Sequence, residues 1–196
     1  MENRIQFLDS RFALNVLVVF IKRDNYFMLG KLYMLTGKQV AKYFLSLDSK
    51  RELFTKKRVR NENCEFYEGN ARLNKLLHIA QNVYIAKTGN QLFSSPLFAY
   101  KNGAVVRSVV NNYSRLLNEN DSVEIPEDTR IFLNKIYKSC YNADINELIA
   151  LSHEDPEWGA KPPVNNKSQQ MNPMLHVEEY KEQYADFIKV LDGMDA

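Results

Sequence analysis

Ser152, His153 and Asp155 are the ingredients of a nucleophilic triad: a hydroxyl to attack, an imidazole to take its proton and a carboxylate to orient the ring. Their adjacency argues against catalysis, because such triads draw on separate elements, and no strand–turn–helix nucleophile motif accompanies them. A second set, Asn74, His78 and Gln81, recurs at helical spacing and makes a polar stripe. On that stripe His78 could donate a proton to a small ligand, although a lone titrating group is no constellation and structural hydrogen bonding is the simpler role. Cys64, His78, Cys140, His153 and His176 are too dispersed to match a ligand spacing, so neither a metal nor a cofactor is expected. Gly37-Lys38 fails as a phosphate loop: Leu32 stands where the first glycine is needed, and Gln39 replaces the Mg²⁺-binding hydroxyl residue.

The remaining chemistry is electrostatic. Lys50 to Arg60 is the densest basic run, centred on Lys56, Lys57 and Arg58, with Phe54, Phe66 and Tyr67 nearby. It reads either as a contact for an acidic partner or phosphate backbone, or as a solvated face. The net charge of +2 does not by itself argue for nucleic acid, and no helix-turn-helix with a basic recognition helix is visible.

The elements that position these residues centre on Arg72–Tyr113. Leu73, Leu76, Leu77, Ala80 and Tyr84 form a helical stripe, widened by Ile79, Val83 and Ala86, so this helix is covered on more than one side. Thr88-Gly89-Asn90 stops it. Leu97–Tyr100 is expected to be extended and to pair with Gln91–Phe93 as a small ribbon. Lys101-Asn102-Gly103 makes a tight bend, after which Val105, Val109, Val110, Tyr113, Leu116 and Leu117 mark an amphipathic helix.

Elsewhere, Val40–Leu47 reads as a short core helix, and Asn61-Glu62-Asn63 as loop. Pro126, followed by Glu127 and Asp128, opens a helix with Phe132, Leu133, Ile136, Tyr137 and Cys140 on its core face. Asp144 with Glu147 resembles a capping arrangement ahead of Ile145, Leu148, Ile149 and Ser152. His153 and Trp158 are expected to fix a helix-to-loop corner by a hydrogen bond and a buried indole. Residues 162–173 form a linker, and Tyr180, Tyr184, Phe187, Ile188 and Leu191 share one face of a last helix that packs on its own domain or on a second copy. The fold class expected is mainly α: a multi-helix domain with at most a two-stranded β ribbon.

At 196 residues with 45% apolar and 26% charged residues, the chain suits one soluble domain with an appendage. Two cysteines give no disulfide framework and fit a reducing cytosol. Phe12–Ile21 favours helix over strand, but it is too short to span a membrane, and Lys22-Arg23-Asp24 rules out a signal-peptide cleavage site.

The segment Leu73-Asn74-Lys75-Leu76-Leu77-His78-Ile79-Ala80-Gln81, then Thr88-Gly89, Leu92-Phe93, Ala99-Tyr100 and Asn102-Gly103-Ala104-Val105-Val106, is similar to the Panacea domain. Leu151-Ser152-His153 through Trp158 is close to that family's third motif. His78 stands where the family often has Tyr, and Ala104 where it usually has Pro. The resemblance covers about residues 40–161 with an insertion near 50–70, leaving residues 1–39 as an extension. It implies structural roles for Lys75, Leu76, Leu77, His78, Gln81, Gly103, Val105, Val106, His153 and Trp158. The family includes phage-associated proteins and SocA-like antitoxins. The resemblance therefore implies binding of a cognate toxin, or delivery of that toxin to a protease, rather than enzymatic activity. Tyr100, Lys101 and Asn102 at the bend, with Lys56, Lys57 and Arg58, are the candidate partner contacts. A nucleic-acid-binding regulator and a small-ligand enzyme at Asn74, His78 and Gln81 are the alternatives. Oligomeric state is open.

Overall fold

The structure, a computed structural model, describes residues 34–194 except 63, 120 and 166. The apolar run 12–21 lies outside the described residues. Helix α1 (Gly37–Leu47) starts at a capping box. The Gln39 N–H donates to the Thr36 hydroxyl at 3.2 Å, and the Thr36 N–H donates back to Gln39 Oε1 at 2.8 Å. The residue that disqualifies a phosphate loop is thus half of a helix cap. Val40, Ala41, Phe44 and Leu45 face the core.

Asp48 then gathers the chain: its carboxylate accepts from the N–H groups of Glu52, Leu53 and Phe54 at 2.9, 3.0 and 2.8 Å. Beyond this turn, β1 (Arg58–Arg60) and β2 (Glu65–Tyr67) pair antiparallel, with Val59 opposite Phe66. The segment expected as an insertion therefore contains a hairpin closed over the expected loop.

Helix α2 (Glu68–Thr88) is the centre of the fold. Leu73, Leu76, Leu77, Ile79, Val83 and Ile85 are each no more than 2% exposed, and each such side chain stabilises the fold by about 1.5–3 kcal/mol. As expected, Gly89 ends the helix, in the left-handed conformation with its N–H on the Ile85 carbonyl at 2.8 Å.

Two expectations after this helix are corrected. Strand β3 (Leu97–Tyr100) pairs with β4 (Gly103–Val106) and with β5 (Gln169–Gln170), not with Gln91–Phe93. Phe93 forms a parallel bridge with Leu35 instead, and the N–H groups of Leu92 and Phe93 donate to Gln81 Oε1. Val105 lies on a strand rather than a helix, because Gly103, at φ +85°, turns the chain back along β3 and β-branched residues follow. The expected helix is short and divided into α3 (Arg107–Val110) and α4 (Tyr113–Leu116). The Asn112 side chain donates to the Ser108 carbonyl at 2.8 Å at the break, competing locally with the helix ladder. Val109, Tyr113 and Leu116 still point into the core.

Helix α5 (Glu127–Cys140) buries Leu133, Ile136 and Cys140. Helix α6 (Ile145–His153) begins at the Asp144–Glu147 capping box, and α7 (Pro156–Ala160) follows Asp155 directly. After a 3₁₀ turn at Pro173–His176, the last helix is also two: α8 (Val177–Gln183) and α9 (Ala185–Gly193), divided at Tyr184. Their buried face (Tyr180, Tyr184, Leu191) packs on the chain's own domain, α8 against α2 and α9 against α5. The mainly α expectation is met, and among the described residues the sheet content extends to one two-stranded and one three-stranded antiparallel sheet. Among the described residues no helix is long and apolar enough to cross a membrane.

Candidate functional site

Helix α2 is covered all round, so its polar residues have to find partners inside the protein. Asn74, Lys75, His78, Gln81 and Asn82 are each no more than 2% exposed. The convergence of Ser152 and Asp155, unexpected from their adjacency, occurs on His78 rather than on His153. The Ser152 hydroxyl donates to His78 Nδ1 at 3.2 Å, and His78 Nε2–H donates to Asp155 Oδ2 at 2.7 Å. The same Oδ2 accepts from Asn82 Nδ2 and from the Tyr180 hydroxyl at 2.6 and 3.0 Å. Oδ1 caps α7 by accepting the N–H groups of Glu157 and Trp158. Burial alone would push the Asp155 carboxyl up, but the hydrogen bonds from His78, the Trp158 N–H and Asn82 hold it down at about 2.

This array has triad connectivity without triad access. Ser152, His78 and Asp155 are at most 2% exposed. Ser152 Oγ also accepts from the Ala104 N–H at 2.8 Å and from Lys75 Nζ at 3.3 Å. Lys75 Nζ donates to the Ala104 carbonyl at 2.9 Å as well, and burial lowers its pKa to about 7. Gly103 lies over these groups: a Cβ there would meet Ser152 Oγ at 2.4 Å and Lys75 Nζ at 2.6 Å. Among the described residues no group of three or more His, Cys, Asp or Glu is placed to hold a metal ion.

His153 points outward to the bend. Its Nε2–H donates to the Lys101 carbonyl at 3.0 Å, and the Trp158 indole N–H donates to the Tyr100 carbonyl at 3.0 Å. The two rings stack with centroids 4.2 Å apart. They fix the β3–β4 bend, and the indole is half-buried rather than buried. Leu76 and Leu77 lie in the core, with Val106 buried at the end of β4.

Beside that bend lies a groove of about 420 Å³. One wall is the end of the first hairpin, with Cys64, Phe66 and Tyr67. The floor is the start of α2, with Asn70, Ala71, Asn74 and Lys75. Tyr100, Lys101 and Asn102 line the groove from the bend, and Val105, Val110, Pro163 and Ser168 complete it. Asn61 Nδ2 donates to Asn102 Oδ1 at 3.0 Å, and Asn102 Nδ2 donates to Cys64 Sγ at 3.4 Å, so the hairpin and the bend are tied together.

The candidate contacts therefore separate. Tyr100, Lys101 and Asn102 line the groove, whereas Lys56, Lys57 and Arg58 do not. Lys57 pairs with Glu68 at 3.0 Å; Arg58 pairs with Glu65 at 3.6 Å and lies 5.5 Å over the Tyr67 ring, beside a second concavity of about 380 Å³. Arg51 turns inward to the Leu117 carbonyl. Sequence reasoning missed Asn82, Tyr180 and the hub role of Asp155. The signal was present: Asp-Pro-Glu-Trp is a helix N-cap with Pro at the first position, which leaves one carboxylate oxygen for a partner.

Neither a curated protein nor a solved structure matches the chain. A family model described as antitoxin SocA-like, Panacea domain, matches residues 73–159, a span that runs from α2 through the bend to α7 and contains Lys75, His78, Gly103, Ser152 and Asp155. Residues 73–159 are thus similar to the SocA-like Panacea domain, and all of the buried network except Tyr180 lies within that span.

Proposed function

We propose that this protein is an antitoxin that neutralises a partner toxin by direct binding through the face made by the first hairpin and the β3–β4 bend. The family description supports an antitoxin-like role. The observation that carries the binding face is the composition of the groove. Asn74, Lys75, Tyr100, Lys101, Asn102, Val105 and Val110 come from within residues 73–159, whereas Cys64, Phe66, Tyr67, Asn70, Ala71, Pro163 and Ser168 come from outside them. The span that matches the family model then supplies one part of the lining, and segments outside that span shape the rest, an arrangement that would let one fold serve different partners. Delivery of the bound toxin to a protease is a second use of the same face.

The Ser152–His78–Asp155 array is read as a structural lock and not a catalytic centre, since its members are closed off and their hydrogen-bonding capacity is spent on each other. The same packing speaks against a small-ligand enzyme at the Asn74, His78 and Gln81 stripe, since His78 and Gln81 are buried and do not line the groove that Asn74 borders. Carboxylates beside Lys57 and Arg58 weaken the case for a phosphate-backbone contact.

The test is co-expression. The gene adjacent to this one is induced with and without it, growth is scored, and the protein is then used to capture the product. Toxicity relieved only in the presence of this protein, with a recovered complex, is the expected outcome. A harmless neighbour and no recovered partner would sink the proposal.

A further inference from the structure

The groove has a chemistry that narrows what it takes. Its walls are largely apolar and aromatic: Phe66, Tyr67, Tyr100, Val105 and Val110. Its lining contains two lysines, Lys75 and Lys101, and no Asp or Glu. Lys101 is exposed at the bend, where His153 holds its backbone carbonyl, so its side chain starts from a fixed point beside the groove. Lys75 belongs to the floor and is buried. An apolar slot edged by the exposed Lys101 ammonium, without a carboxylate in its lining, is complementary to an apolar or aromatic side chain with negative charge beside it.

Resting on the antitoxin reading, we propose that the groove seats an aromatic or large aliphatic side chain of a short acidic segment of the protein partner, with a flanking carboxylate on Lys101. A groove of this size holds one large side chain as an anchor, and such anchors carry a disproportionate share of interface energy. Lys101 then supplies sign selectivity rather than most of the affinity. An acidic occupant also favours the charged form of Lys75, whose burial otherwise works against it. Nucleic acid offers aromatic rings and negative charge too, but backbone tracking needs several cations along the groove to meet successive phosphates, and this lining holds one exposed lysine, Lys101.

The test is fluorescence anisotropy on the full chain with labelled hexapeptides. One carries a central phenylalanine flanked by aspartates; a second replaces the aspartates by lysines; a third replaces the phenylalanine by alanine. A labelled hexathymidylate is the nucleic-acid probe. The acidic aromatic peptide should bind saturably, and each other probe about tenfold or more weakly, a gap of one hot-spot contact. Lys101→Glu should reverse the preference between the first two peptides. Ala71→Leu, which fills the floor, should abolish binding of the first while leaving the circular dichroism spectrum unchanged. Equal binding of the peptides, no binding of the acidic one, tighter binding of hexathymidylate, or an unchanged preference in Lys101→Glu would each overturn the proposal. The two readings fail separately. If toxicity is relieved as well by Lys101→Glu as by the natural chain, the groove is wrong and the antitoxin reading stands. If nothing is neutralised but the peptides discriminate by sign, the antitoxin reading fails and the groove's specificity stands.

Discussion

Asp155 and the Lys57–Arg58 pair both carry charge, and the protein supports them by opposite means. Asp155 is 1% exposed and accepts from five donors, three on side chains of α2 and α8 and two on the backbone of α7. Lys57 and Arg58 have side chains 68% and 66% exposed, and each meets one nearby carboxylate in water. The first arrangement is costly to disturb, because every donor left behind is buried. The second is cheap to change, because solvent screens it. Resistance to change therefore sits in the domain interior, and freedom to vary sits on the hairpin that shapes the groove.

The sharpest way to break this contrast is Asp155→Ala. It strands His78, Asn82 and Tyr180 and should cost about 3–5 kcal/mol in urea unfolding; a loss no larger than that of a surface substitution would dissolve the distinction. Next is the pH dependence of Lys75. Its folded pKa of about 7 lies below the value of about 10.4 usual for an unfolded lysine. Between those values the unfolded chain binds more protons than the folded one, so stability should rise with pH, by at most about 1.4 kcal/mol per unit. Measured from pH 7 to 9, the natural chain should gain on Lys75→Met, in which this term is absent; a constant difference would refute the buried-amine account. Gly103→Ala should cost about 1–3 kcal/mol from its backbone conformation, with the close contacts to Ser152 and Lys75 adding to it, as read by the shift in thermal midpoint. Smallest is the double change Lys57→Ala and Arg58→Ala, which should leave the urea midpoint in place.

Much of this was legible from residue types. The caps at Asp144 and Gly89, the core stripe of α2 and the buried face of the last helices follow from spacing and local hydrogen bonding, which a sequence displays directly. The hairpins did not, because three-residue strands such as Arg58–Arg60 have too few positions for a period and exist through their pairing. A bend at Gly103 is legible in the sequence but a hairpin turn is not, since Val105 and Val106 fit either a helix or a strand. The groove depends on distant segments, Phe66 from one hairpin and Tyr100 from another, meeting at the start of α2. His78 reaches Asp155 across 77 positions in the chain, a pairing that no local pattern encodes.

That separation also bears on kinetics. The Asp155 hub joins side chains 77, 73 and 25 residues away, so these three bonds, unlike its two local cap bonds, form only after longer loops have closed. Such late contacts are expected to add little to the folding rate and to slow unfolding instead. The tie from Tyr180 to Asp155 would then act as a brake: the C-terminal helix should leave the domain only when the hub itself opens, which sets how long the folded chain withstands a protease pulling from that end.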